Sequence, residues 1–228
     1  METLSIAGIK IRPLSPEEER EAEDRSRREA IDTRRERLEA HYVSPESGVP
    51  RRYHGERLDG LTARTDGERR NIERVRFFIS DRNSKTLVLH GANGTGKTLL
   101  GCMVIRERGG VYRSIIRLIY ELDDTMRYSS KVGKIQLLDG LCGQGMLVID
   151  EVGHPCRAEQ QRELLYYILN ERYGNGLPTV VISNLSRAEL VDFLGSTVLD
   201  RLNENGEFLE FTGGSRRIQK RETDAVAF

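Results

Sequence analysis

Cysteine is scarce in this chain, net charge is absent and long apolar runs are missing. Cys102, Cys142 and Cys156 form an odd, scattered set. They fit neither a disulfide framework nor a zinc pattern, so a reduced, cytoplasmic setting is expected. His154-Pro155-Cys156 brings two ligand types together, and two ligands do not make a metal site. Lys plus Arg and Asp plus Glu stand at 36 each. Any binding of nucleic acid must therefore come from a local basic patch, not from bulk charge. No apolar stretch approaches the roughly 20 residues of a membrane span. Met1-Glu2-Thr3-Leu4-Ser5 lacks the basic start and apolar stretch of a secretory signal, so no membrane association is expected. Internal repeats are absent too.

What is present centres on Lys85 to Leu100. An apolar strand (Thr86 to Leu89) runs into a turn of Gly91, Ala92, Asn93, Gly94, Thr95 and Gly96, and a helix opens at Lys97-Thr98. The spacing is that of a phosphate loop: Gly, four residues, Gly-Lys-Ser/Thr. The three glycines permit positive φ and remove side chains, so successive N–H groups can face one anion. The helix that follows adds unpaired donors and the positive end of its dipole. Lys97 would reach the β- and γ-phosphates, and the Thr98 hydroxyl would sit on Mg²⁺. ATP and Mg²⁺ are the expected cofactors.

The length of 228 residues suits one sizeable domain with an appendage. Residues 1–14 hold a few apolar positions without a clear period. Ser15-Pro16-Glu17-Glu18 predicts a helix start, and a very polar helix should run to about His41. Glu21 with Arg25 and Asp24 with Arg28 are acid-before-base pairs of about 0.3 kcal/mol each. Such a helix buries little against its own domain; it is either a solvated arm or a docking element. Residues 44–66 read as a linker because Pro45, Gly48 and Pro50 break helix. The expected division is an N-terminal helical segment with linker at 1–47 and an ATPase domain at 48–228. Beyond the phosphate loop, strands alternate with helices. That pattern predicts an α/β fold with a parallel sheet flanked by helices.

Further signals stand at predicted strand ends, where open α/β sheets bind ligands. Asp150 ends the apolar run Met146 to Ile149 and can hold Mg²⁺. Glu151 beside it could act as general base on the attacking water. Asn184 ends another buried strand and can orient the same water or touch the γ-phosphate. Arg201, in a short helix, is either an arginine finger, worth about 10³–10⁵ in rate, or a surface ion-pair residue. Arg216 and Arg217 face either phosphate or solvent.

In order, Gly91 to Thr98, Leu147 to Gly153, Val180 to Leu185, Val198 to Leu202 and Gly213 to Arg217 resemble the AAA+ ATPases of the DnaC-type helicase loaders. Gly48-Val49-Pro50-Arg51-Arg52-Tyr53 is similar to the segment that precedes their ATPase core. The resemblance implies a P-loop NTPase fold, Mg²⁺ at Thr98 and Asp150, and Glu151 as catalytic acid. It also implies Asn184 as first sensor, Arg201 as a finger acting in trans, and Arg217 as second sensor. Arg216 sits where the family usually has an aromatic residue. The two helices before Asp150 look like an insertion that contacts single-stranded DNA in relatives, with Arg127, Lys131 and Lys134 as candidate contacts. The implied function is ATP-dependent loading of a replicative hexameric helicase, gripped by the N-terminal helix, onto single-stranded DNA. Self-association would pass through the ATP site. The alternative is an IstB-type transposition ATPase acting with a transposase on duplex DNA. A small-molecule phosphotransferase fits less well, since a kinase needs an acceptor pocket and a lid, and a nucleotide-switched adaptor is separated only by turnover.

Overall fold

Five short apolar runs pair side by side to make the centre of the protein. The computed structural model describes residues 4–6, 9–11, 15–83, 85–125, 133–143, 145–204 and 206–216. The chain divides into two compact units, Met1–Ala40 and His41–Phe228.

The first unit holds an antiparallel hairpin, β1 (Leu4–Ile6) with β2 (Ile9–Ile11). No period was expected there; apolar and polar residues alternate within each three-residue strand, too short a pattern to read. Helix α1 (Pro16–Val43) follows. It starts as the sequence predicts. Ser15 N donates to Glu18 Oε2 at 2.8 Å, and Glu18 N donates to Ser15 Oγ at 3.2 Å, a reciprocal capping box.

In the second unit, α2 (Asp66–Ser80), β3 (Thr86–Gly91), α3 (Lys97–Arg108), β4 (Val111–Ser114), α4 (Ile115–Thr125) and α5 (Lys134–Gly143) lead to β5 (Leu147–Val152). Then come α6 (Ala158–Gly174), β6 (Thr179–Ser183), α7 (Arg187–Glu204) and β7 (Gly206–Phe211). The five strands β3 to β7 form a parallel sheet in the order β4-β5-β6-β3-β7. Successive strand residues point to opposite faces, so β3 serves two cores at once. Val88 belongs to the core beneath α4, α6 and α7, with Ile115, Leu165 and Val198. Leu87 and Leu89 belong to the core beneath α2 and α3, with Val75, Phe78 and Met103. Helix α7 is two helices broken at Gly195 (φ 75°, ψ 163°), so the two short helices expected there run end to end.

Residues 44–66, expected as a linker, are packed instead. Three 3₁₀ turns, at Pro45–Ser47, Arg51–Tyr53 and Leu58–Gly60, carry the chain across the α3 side. Tyr42, Val49 and Leu58 are buried in the same core as Phe78. The Tyr42 ring lies under the Arg106 guanidinium, 4.5 Å from its centroid. Prolines and glycines signal the turns but not the apolar residues that anchor them.

At the end of the sheet where the strands begin, a charged side chain is fully buried. Arg172 donates from Nε to Thr179 Oγ1 (2.8 Å), from Nη1 to Leu141 O (2.8 Å), and from Nη2 to Gly145 O (2.8 Å) and Pro178 O (2.6 Å). It ties the end of α5 and the starts of β5 and β6 to α6. Burial pulls its guanidinium down to about 10. Arg172→Met should strand several buried carbonyls at about 1–3 kcal/mol each. A loss near 3 kcal/mol lowers Tm by about 6–12 °C in a domain of this size. A thermal melt checks this; an unchanged Tm would show that water satisfies the carbonyls equally well.

Candidate functional site

The ends of β3, β5 and β6 and the start of α3 open onto one cleft of about 590 Å³. Asn93, Gly94, Thr95, Gly96, Lys97 and Thr98 form its floor, where the sequence predicts them, and Gly91, the last residue of β3, and Ala92 lead into it. Two glycines there have no substitute. Gly91 (φ 108°) lies so near β7 that a Cβ would stand 2.5 Å from Phe211 O. Gly94 (φ 76°) lies so near Ser215 that a Cβ would meet its Oγ at 2.2 Å. The loop is tied from outside: Gly91 N donates to Leu185 O (3.1 Å), Ala92 N to Phe211 O (2.9 Å), and Arg216 N to Gly94 O (2.8 Å). Helix α3 begins at Gly96 with no side-chain cap, which leaves its first N–H groups to an anion. Lys97 is 4% exposed, and its Nζ donates to Gly91 O at 2.8 Å and Ala92 O at 2.7 Å. The donors fit a chain of phosphates, and the lysine is already folded over them.

Asp150 and Glu151 are neighbours with opposite surroundings. Asp150 is buried; its Oδ2 accepts from Thr98 Oγ1 and from Tyr112 OH, both at 2.7 Å. Burial raises its carboxyl above the usual range despite these hydrogen bonds. The same burial and the facing carboxylate push the Tyr112 phenol up. Thr98 and Asp150 thus offer a hydroxyl and a carboxylate at one point, the oxygen chemistry a hard divalent cation takes. Glu151 has φ 63°, a left-handed conformation that costs a non-glycine residue about 1–2 kcal/mol. The β5–β6 register shifts between Ile149 and Val152. This bulge turns Glu151 out into the cleft while Asp150 and Val152 stay inside. Asp150 Oδ1 holds the Glu151 N–H at 2.7 Å, and Ser114 Oγ donates to Glu151 Oε2 at 2.5 Å. Asn184 lines the same cleft. It is fixed by Ser183, whose Oγ donates to Val152 O at 2.6 Å and accepts from Leu185 N at 3.2 Å.

Arg201 is elsewhere. It lines a second cavity of about 260 Å³ with Lys85, Thr86 and Thr179, where β3 and β6 begin. The phosphate loop follows the other end of β3. A six-residue strand spans about 17–20 Å, beyond an arginine's reach. Its guanidinium carbon lies 5.9 Å from the Tyr166 ring and 5.8 Å from the Tyr173 ring. Its Nη1 is buried without a hydrogen-bond partner among the described residues. Arg216 does line the cleft; Arg217 lies outside the described residues, as do Arg127 and Lys131. Lys134 is exposed at the start of α5.

Sequence reasoning missed Tyr112 and Ser114. Both sit on β4, and Ser114 pairs in register with Asp150. A reading that knew β4 lies beside β5 would have found them. It also left Arg52 and Tyr53 without a role, yet both line the cleft, with the Arg52 guanidinium 4.6 Å from the Tyr53 ring centroid.

With this geometry in hand, similarity to known proteins is informative. Residues 32–224 match the family described as IstB-like ATP binding protein. The replicative helicase loader DnaC of Escherichia coli K12 is 25% identical over 144 residues, 60% of this chain and 58% of that protein. This chain therefore spans less than two thirds of that relative. The Buchnera aphidicola (Acyrthosiphon pisum) loader DnaC is 22% identical over 83% of this chain and 80% of its own. An insertion sequence IS21 putative ATP-binding protein of Pseudomonas aeruginosa is 22% identical over 70% of this chain and 62% of its own. A crystal structure of the DnaC helicase loader superposes with a TM-score of 0.62 at 26% identity, covering 72% of this chain and all of that one (100%). AMPPCP-bound DnaA from Aquifex aeolicus shares the fold, with a TM-score of 0.61 at 18% identity over 79% of this chain and 57% of that one. The five-stranded parallel sheet flanked by helices is that of the P-loop AAA+ proteins.

Lys97→Ala removes the cation that spans the loop. Its affinity for a fluorescent ATP analogue should fall by at least about 100-fold, since charge-assisted hydrogen bonds contribute roughly twice a neutral one. Equilibrium titration checks this, and wild-type affinity in the variant would refute the loop as the nucleotide site.

Proposed function

The chain belongs to the family of IstB-like ATP-binding proteins, and from that membership we propose that it is an ATPase that loads a replicative hexameric helicase onto single-stranded DNA. The observation that carries this reading is the match to DnaC loaders in both sequence and structure, with a DnaC structure covered over its whole length. The long, highly charged α1 is the element offered to the helicase. The region of α4 and α5, with Lys134, is offered to DNA, and Arg127 and Lys131 remain candidate contacts. No helix among the described residues is long and apolar enough to cross a membrane, which accords with work in the cytoplasm.

The geometry supports a definite division of labour. ATP lies with its phosphates on the backbone N–H groups of residues 93–98, while the N–H groups of Gly91 and Ala92 stay bonded to Leu185 O and Phe211 O, and Lys97 moves from Gly91 O and Ala92 O to the β- and γ-oxygens. Thr98 and Asp150 would hold Mg²⁺, which when bound neutralises charge on those oxygens. Glu151 takes a proton from water as its oxygen attacks the γ-phosphorus and the bond to the β-phosphate oxygen breaks. Asn184 orients that water. Ser114 holds the Glu151 carboxylate through Oε2. Arg217, beyond Arg216, remains the candidate second sensor. Arg201 stands too far from its own loop to act there, and the proposal places it against the nucleotide of a neighbouring subunit. Self-association through the ATP site then follows.

A second reading has its own support. The matched family is defined by IstB-like proteins, and the IS21 relative aligns over 70% of this chain. On that reading the partner is a transposase and the nucleic acid is duplex DNA.

Glu151→Gln should keep ATP bound while hydrolysis falls at least about 100-fold, because a general base contributes about 10²–10⁴. Loss of binding in this variant would remove Glu151 from the role of base. The same variant serves as bait. In ATP, affinity capture with the full chain from its own cells should recover the replicative helicase. Recovery of a transposase instead would select the second reading, and recovery of neither would contradict both.

A further inference from the structure

Beside the phosphate loop, on the α2 side, a buried carboxylate joins two arginines. Glu68, in the first turn of α2, is 6% exposed. It accepts from the backbone N of Arg64 at 2.8 Å and from Arg64 Nε at 3.0 Å, and it also bonds Arg64 Nη2. The sequence marks Glu68 only as the fourth residue of a capping box begun by Thr65. Thr65 Oγ1 does accept from Glu68 N at 3.1 Å, but the Glu68 carboxylate turns to Arg64. Its Oε2 then receives Arg216 Nη2 at 2.9 Å.

Arg216 is held at both ends. Nη2 also donates to Thr62 O at 3.0 Å, and its backbone N donates to Gly94 O in the phosphate loop at 2.8 Å. Between these anchors the side chain crosses the start of α3. A Cβ built on Gly96 would lie 3.5 Å from Arg216 Cδ and 3.6 Å from Nε. Nε and Nη1 have no hydrogen bond among the described residues, and Arg216 lines the cleft together with Lys97 and Thr98. One guanidinium nitrogen, Nη2, is taken by protein acceptors; Nε lies at the helix start, where an anion is favoured.

We propose that Glu68 is a positioning residue for the nucleotide: through its bond to Arg216 Nη2 it fixes the guanidinium over the phosphate loop, so that an N–H group of the remaining nitrogens meets the phosphates of ATP. The inference rests on the reading of the cleft as the ATP site. Glu68 works as an orienter and not as a competing anion for a simple reason of charge. The Arg64 fork already balances the carboxylate, so the cluster of two arginines and one glutamate stays positive with Arg216 in place. Nucleotide binding therefore needs no breakage of the Glu68–Arg216 bond. Burial alone would raise the Glu68 carboxyl; the Arg64 hydrogen bonds and the Arg216 charge override it and bring it down to about 2. Without that anchor, an arginine on the segment after β7 would sample many rotamers and lose most of its directional bonding.

The test is a double-mutant cycle on the full chain, with ATP affinity measured by equilibrium titration. Glu68→Gln keeps the shape but sets an amide donor beside the Arg216 donor. It should weaken ATP binding about tenfold, as should Arg216→Ala, the scale of one charge-assisted contact. The double variant should bind no more weakly than Arg216→Ala alone, because Glu68 acts only through that arginine. Full persistence of the Glu68→Gln loss in the Arg216→Ala background overturns the proposal, and so does wild-type affinity in Glu68→Gln. If thermal melts show that Glu68→Gln does not fold, Arg216→Lys decides. It keeps the charge but cannot hold Glu68 and phosphate together. An about tenfold loss supports the proposal and wild-type affinity overturns it. Absence of ATP binding by the wild-type chain would defeat the reading of the cleft itself, and the inference with it.

Discussion

A phosphate loop works only if its N–H groups are held in a direction that a free chain would not keep. Here the loop is tied on two sides. Leu185 O, just past β6, takes the N–H of Gly91, and Phe211 O, at the end of β7, takes that of Ala92. The segment after β7 then crosses over, with Arg216 N bonded to Gly94 O. Every strand that flanks β3 thus contributes a lock. The parallel sheet follows from this need, because only parallel strands bring the ends of β3, β5, β6 and β7 to one edge.

The same edge concentrates charge in a small volume, and burial sorts it. Asp150 is sealed under Thr98 and Tyr112, where desolvation works against its negative charge. A bound cation would reverse that cost. Glu151, one residue on, is turned into the cleft by a bulge and a left-handed backbone. Strain of this kind persists where surrounding bonds over-determine it, and the Asp150 carboxylate and the Ser114 hydroxyl supply those bonds. The Gly91 and Ala92 carbonyls hold Lys97 folded over the loop.

Much of this was legible in the sequence because it is local. The loop spacing, the alternation of apolar runs with amphipathic helices, and the capping box at Ser15 each depend on residues within a few positions of one another. What was not legible depends on which strands lie side by side. Tyr112 and Ser114 become parts of the site only because β4 pairs with β5. Residues 44–66 carry every mark of a linker, yet Tyr42, Val49 and Leu58 fasten the stretch to the α2–α3 core, and no periodic pattern announces isolated anchors. Glu68 shows the same limit within one motif: its backbone follows the capping box, while its carboxylate answers to Arg64 and to Arg216, the latter far along the chain.

The central claim is that the cleft is half of an active site, completed by Arg201 of a neighbouring chain. Its most direct test mixes two variants that are each inactive. Lys97→Ala cannot bind nucleotide but still presents Arg201; Arg201→Ala binds nucleotide but presents no finger. If the site is completed between subunits, the mixture hydrolyses ATP where neither variant alone does, because some interfaces pair an intact loop with an intact Arg201. A mixture that stays inactive while the two chains demonstrably assemble together would contradict the account.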